Sequence, residues 1–203
     1  MNNNIVTQVI ASAALNATGY GAALTSTGAS YVLISTGPGD SCAHPVTVKN
    51  NSVTDFSALT ITITGTDEND APLTETRAHC GGSATITSTA YFKSVTSIVP
   101  SATTGVATFD IGWTASSKCA WIYPILGVGT APFNVGIGCT AVTGSPTYSV
   151  KYTFDGSAWF AVTNVSAVTA SATGSITSPI AAFRMEFTAA GSVTLTSIQS
   201  PKC

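Results

Sequence analysis

The amino-acid sequence predicts an all-β protein made of two antiparallel β-sandwich domains, jelly-roll or Ig-like, with an extended N-terminal arm. Three observations lead there. Leu59, Ile61 and Ile63 alternate with Thr60, Thr62 and Thr64, a period of two that puts aliphatics on one sheet face and hydroxyls on the other. Apolar runs are short, regularly spaced, and closed by Gly, Pro, Asn, Asp or Ser. No stretch sustains the 3.6-residue period of a helix.

Residues 1–40 read as the arm. They are small and polar, and Gly19, Gly21, Gly28, Gly37, Pro38 and Gly39 leave only Ile5–Ile10 and Tyr31–Ile34 as strand candidates. The first sandwich is assigned to residues 41–115. Its clearest element is a hairpin, Leu59–Gly65 returning as Leu73–Arg77 across the turn residues 66–72. Ala84–Thr89, Tyr91–Val99 and Gly105–Gly112 follow, the second kept extended because Val95, Thr96, Ile98 and Val99 are β-branched and Pro100 closes it. The short polar stretch Thr114–Lys118 sets the boundary. The second sandwich, residues 116–203, has strand candidates at Trp121–Leu126, Phe133–Val142, Tyr148–Phe154, Trp159–Val165, Ile180–Thr188 and Ser192–Gln199.

Composition narrows the function classes. Charged residues make up 8% of the 203, against about 25% in an ordinary globular protein. Seven Lys and Arg and a net charge of -2 cannot form the basic stripe that phosphate neutralisation needs, which argues against nucleic-acid binding. A hydrophobic content of 44% argues against disorder, and no apolar run reaches the length of a membrane-spanning helix. The start, Met1 to Ile10, lacks a basic region followed by a continuous apolar one, so assembly in a cytoplasm is expected.

Catalytic chemistry has little to stand on. His44 and His79 are the only histidines, and no Gly-x-Ser-x-Gly elbow or glycine-rich phosphate loop is present. Both histidines sit beside cysteines, so Cys42, His44, His79 and Cys80 form a ligand set suited to tetrahedral zinc. Adjacent residues on a strand point to opposite faces, which works against His79 and Cys80 reaching one ion. A Cys42–Cys80 disulfide and two inert thiols are the competing readings, and Cys119 with Cys139 poses the same choice. Reduced thiols are expected for a chain assembled in a cytoplasm. Asp67, Asn69 and Asp70 concentrate oxygen ligands that could serve calcium, but they fall in the hairpin turn, where such residues accept unusual backbone angles. No cofactor is expected. Trp113, Trp121 and Trp159 read as packing residues rather than a carbohydrate platform. Arg184 alternates with Phe183, Met185 and Phe187, so it faces away from the core and is the candidate interface residue.

Two stretches carry a resemblance. Thr60–Asp67, Leu73–Thr76 and Thr85–Ile98, ending with Ile111-Gly112-Trp113, resemble a Thr-Gly-Thr-Asp hairpin, its return strand and a Phe-Lys-x-Val-x-x-Ile strand found in virion structural proteins of tailed bacteriophages. Tyr148–Asp155, Pro179–Arg184 and Val193–Gln199 are similar to the C-terminal region of many small phage particle proteins. The resemblance implies a non-enzymatic virion component, a capsid decoration or cement protein or else a tail, connector or fibre-base component. It implies no catalytic residues. Its partners would be the major capsid protein or other virion proteins and further copies of itself, with neither nucleic acid nor membrane, and its location would be the virion.

Overall fold

A computed structural model of the chain describes residues 4–26, 30–124 and 133–199, which form thirteen strands and no helix. In chain order the strands are β1 (Asn4–Ser12), β2 (Asn16–Leu24), β3 (Cys42–Asn50), β4 (Thr60–Thr66), β5 (Pro72–Ala78), β6 (Thr85–Phe92), β7 (Ser94–Pro100), β8 (Phe109–Trp113), β9 (Ser117–Cys119), β10 (Val135–Thr153), β11 (Phe160–Ala161), β12 (Ala172–Ile176) and β13 (Ala182–Gln199). The protein is therefore all-β, with large antiparallel sheets. Two compact units are present, one formed by Ala14–Ser117 and the other by Met1–Ala13 with Lys118–Cys203.

In Ala14–Ser117, β4 is flanked by β5 and β7, and a second set runs β2-β8-β3-β6. The hairpin forms with Thr60 opposite Ala78 and Thr66 opposite Pro72, which leaves residues 67–71 as its turn. Period-two alternation then places Ile61 and Ile63 inward, where both are fully buried with Val95 and Ile98 of β7. Val46, Val48, Phe109 and Ile111 supply the rest of that core from β3 and β8. Each such side chain contributes about 1.5–3 kcal/mol on burial. Leu59 precedes β4 and is only half-buried, so the inward set is one residue shorter than the alternation suggested.

The other unit is built on two long strands. β10 and β13 pair from Val135 opposite Gln199 to Thr153 opposite Ala182. β1 lies along the far half of β13, from Asn4 opposite Gln199 to Ser12 opposite Gly191. β12 joins the start of β10 and β11 its end. Ile137, Cys139, Val150, Met185, Phe187, Val193 and Leu195 are all buried.

The long strands join candidates that the sequence separates. Gly144, Pro146 and Gly191 look like turn residues, but here they make bulges, with register shifts between Thr140 and Tyr148. Gly144 has φ +76 and lies opposite Gly191, so glycine absorbs the extra residue without ending the strand. Other differences have similar local causes. Tyr91–Val99 breaks at Lys93, dividing between β6 and β7. Gly105–Thr108 is a turn and loop before the shorter β8. Of Trp121–Leu126 only Ile122 makes a bridge, to Phe183, while its last two residues lie outside the described residues. The expected linker Thr114–Lys118 contributes β9. Residues 1–40 are not a single arm, because β1 pairs with β13 and β2 with β8.

Candidate functional site

The two histidines occupy separate hydrogen-bonded settings. His44 on β3 is fully buried, with Nε2 2.7 Å from Asp40 Oδ2 and Nδ1 2.9 Å from the Thr114 carbonyl oxygen, so both ring nitrogens are engaged. Asp40 also accepts the Cys42 N–H at 3.1 Å. His79 lies just past β5. Its Nδ1 accepts the Cys80 N–H at 2.8 Å, which leaves the proton on Nε2, 3.0 Å from the Tyr31 hydroxyl oxygen that accepts it. Burial pushes the His79 imidazole below its ordinary value. The Phe109 ring stands edge-on at 4.9 Å.

Cys80 Sγ is 3.2 Å from His79 Nδ1, a contact that could suggest a nucleophilic pair. Its surroundings make it inert. Both residues are buried, and burial raises the Cys80 thiol to about 11, so no thiolate forms near neutrality.

The zinc set is not assembled. Cys42 is disulfide-bonded, His44 is committed to Asp40 and Thr114, and no group of three or more His, Cys, Asp and Glu among the described residues is placed to hold a metal ion. The cysteine expectations need correction. Cys42 and Cys119 are disulfide-bonded, whereas Cys80 and Cys139 are free and buried, so neither a Cys42–Cys80 nor a Cys119–Cys139 bridge forms. Cys139 points into the core of its sheet, and burial raises its thiol to about 11. Cys203 lies outside the described residues.

The oxygen-rich turn serves the hairpin. Asp67 Oδ1 accepts the N–H groups of Asn69 and Ala71 at 2.8 and 2.9 Å, and Asp70 adopts φ +66 while its carboxylate meets Lys93 Nζ at 2.8 Å. Asp155, from the second phage-like stretch, behaves in the same way. It accepts the N–H groups of Ser157 and Ala158 and the Ser157 hydroxyl, which hold its carboxyl down at about 2.

Arg184 does not present an interface. It shares a face with Glu186, as alternation requires, yet it is only 5% exposed. Its guanidinium lies 3.9 Å from the Trp159 ring centroid, and its Nε donates to Glu186 Oε1 at 2.9 Å. Lys151 Nζ reaches the other Glu186 oxygen at 2.7 Å. Burial acts to raise the Glu186 carboxyl, but the two cations outweigh it and hold the group below its ordinary value. Sequence periodicity gave the face correctly and could not see that Trp159, 25 residues earlier, covers it.

Trp113 is buried, with Nε1 donating to the Ala14 carbonyl at 3.1 Å and Tyr20 edge-on at 5.2 Å. Trp121 and Trp159 meet edge-on at 5.2 Å and are half-buried. A shallow groove of about 260 Å³ lies between residues 30–36 and β7, lined by hydroxyl and aliphatic side chains with Tyr31 as its only titratable group.

One surface stands apart. The outward face of the four strands β1, β13, β10 and β12 carries Ile5, Thr7 and Val9, then Ile198, Thr196 and Thr194, then Gly136, Gly138 and Thr140, then Ser175 and Thr173. Where these four strands lie side by side, it bears no charged side chain. A Cβ at Gly136 or Gly138 would meet nothing nearer than a strand carbonyl, at 3.6 and 3.8 Å, and neither residue has a left-handed φ. Local packing therefore does not require glycine at either position, unlike Gly174 on the opposite face, where a Cβ would press on Val162 at 2.6 Å. A glycine that the fold leaves unexplained marks a place where something else can approach closely. Comparison with protein-family models, curated proteins and solved structures finds nothing that matches this chain.

Proposed function

We propose that this chain is a non-enzymatic structural component of a tailed-phage virion, a decoration protein that binds the major capsid protein and stabilises the head. The observation that carries the reading is the uncharged outward face of β1, β13, β10 and β12, flattened by Gly136 and Gly138. Docking such a face desolvates no ions, and small side chains allow close backbone approach. The sequence resemblance to phage particle proteins supplies the setting, with location on the virion after assembly in the host cytoplasm. In this reading each unit is an antiparallel sandwich, supported in Ala14–Ser117 by two sets of strands sharing one core.

The test is rebinding of purified protein to particles stripped of it, with bound copies counted by gel densitometry. Hundreds of copies per particle support decoration, a handful supports the tail, connector or fibre-base alternative, and none removes the virion reading. Gly138→Arg, which puts a long charged side chain on the flat face, should abolish rebinding while leaving the melting temperature within a few degrees.

A glycan- or receptor-binding module is the second reading, and Tyr123 favours it. That ring is 66% exposed beside Trp121, and Phe154 and Phe160 are exposed near Tyr152. Glycan-array binding lost on Tyr123→Ala, with particle rebinding unaffected, would favour that reading.

A further inference from the structure

We propose that Glu75 and Arg77 form an autoinhibitory latch on the outer edge of β6, holding backbone groups that a neighbouring strand would take and so keeping β6 from pairing with β6 of a second copy. β6 pairs with β3 on one side. On the other side, three of its backbone groups go to side chains of β5. Glu75 Oε1 accepts the Thr89 N–H at 2.9 Å and Oε2 the Ala90 N–H at 2.8 Å, while Arg77 Nη1 donates to the Thr87 carbonyl oxygen. One carboxylate and one guanidinium thus supply the acceptors and the donor of a missing strand. The local register explains the fit. Pairing of β3 with β6 shifts between Pro45, which has no N–H, and Thr47, and Ser88 to Ala90 fall in that shift. Two successive N–H groups there point to Glu75, matching both oxygens of a carboxylate.

The placement runs against what a core asks for. Opposite Gly65, Ile63 and Ile61 of β4, β5 sets Leu73, Glu75 and Arg77 on the inward face. Leu73 packs against the core, and the next two inward positions are charged. Arg77 Nε is buried with no hydrogen-bond partner among the described residues, a loss the fold accepts while Nη1 reaches Thr87. In a chain with only 7 Lys and Arg and 9 Asp and Glu, two charges at successive inward positions of one strand are not explained by packing. Inward-pointing charge is one of the devices that close a sheet edge to association.

The edge is one that needs closing. β6 runs eight residues, Thr85–Phe92, without charge, proline or glycine and with β-branched and aromatic side chains, the composition of a segment that pairs with its own copy. The irregularity at Ser88–Ala90 blunts part of the strand, but Thr85–Thr87 keeps a regular register with β3. The latch stands on these contacts and not on the virion assignment.

Native-state amide exchange and sedimentation velocity test it. Glu75→Gln keeps the size of the side chain and removes one acceptor oxygen, so the Thr89 or the Ala90 amide should exchange at least about tenfold faster than in the wild type. Unchanged protection of both amides overturns the latch. The double variant Glu75→Ala with Arg77→Ala, checked for a wild-type circular dichroism spectrum, should show a concentration-dependent dimer or larger species that the wild type lacks at the same concentration. Adding Thr89→Lys, at an exposed position of β6, should abolish that association, since like charges then meet at the seam. A folded double variant that sediments as the wild type does overturns the proposal. So does association that Thr89→Lys leaves intact, because the contact then lies elsewhere on the molecule. If the double variant does not fold, the exchange result for Glu75→Gln decides.

Discussion

At the scale of single residues, the chain's few polar groups in the interior are fixed by neutral chemistry in one place and by charge pairing in another. His79 is the neutral case. Its folded-state imidazole sits below the ordinary 6.5, so below that pH the unfolded chain binds more protons than the folded one. Stability from this group is therefore full above about pH 6.5 and falls as the pH drops below it. Cys80 has the opposite sign, raised from 9.0 to about 11, so its contribution is full below pH 9 and is lost between 9 and 11. Melting curves from pH 4 to 11 should show a plateau between these limits, and His79→Gln should flatten the limb that begins near 6.5. A melting temperature indifferent to pH between 6.5 and 5 would contradict the lowered proton affinity of the buried His79 imidazole. The charged case is Arg184. Removing it leaves Glu186, half-buried, with Lys151 as its remaining cation in that cluster and strips the cation from Trp159. Arg184→Ala should cost about 2–4 kcal/mol in chemical denaturation and shift Trp159 emission. A change under about 0.5 kcal/mol would restore Arg184 to the surface role that alternation suggested.

At the scale of elements, legibility followed period and failed at glycine. The hairpin of β4 and β5 was readable because alternation, turn residues and pairing register agree, from Ile61 and Ile63 inward to Asp67 and Asp70 in the turn. β2 was missed because its residues, Asn16 to Leu24, carry three alanines and two glycines and no alternation, and its pairing to β8 passes through register shifts. β10 and β13 were each read as two strands because Gly144 and Gly191 resemble terminators when seen alone. Only their opposition across the sheet makes them a bulge, and that pairing is not visible along the chain. The candidate docking face was invisible for the same reason, since its residues come from four strands that are distant in sequence. Gly144→Ala and Gly136→Ala separate the two kinds of glycine. The first must place a side chain at φ +76 and should cost about 1 kcal/mol or more. The second adds a methyl in ordinary van der Waals contact with the Ile198 carbonyl oxygen, at a position without a left-handed φ, so its thermal stability should be unchanged or slightly higher. Equal losses for the two would mean that Gly136 is held by the fold after all.

At the scale of the whole molecule, the low charge and the cysteine state bear on where the protein works. A chain with 8% charged residues has little ion pairing to lose, so its stability depends on apolar burial and covalent closure. The expectation of reduced thiols came from cytoplasmic assembly, yet Cys42 and Cys119 are disulfide-bonded while Cys80 and Cys139 stay free in apolar surroundings. All four lie in the interior. The free thiols are raised to about 11, and a thiol that does not ionise does not exchange. Cys80 and Cys139 therefore stay as thiols in a protein that holds Cys42 and Cys119 as disulfide. Intact mass before and after reduction should differ by about two units, the change for a single bridge. Alkylation of the native, unreduced protein should modify neither Cys80 nor Cys139. Reduction, or Cys42→Ser, should lower stability by about 2–4 kcal/mol, the usual contribution of a native bridge. If the protein melts at the same temperature with and without reductant, the bond adds nothing to the fold, and apolar packing alone holds the chain together.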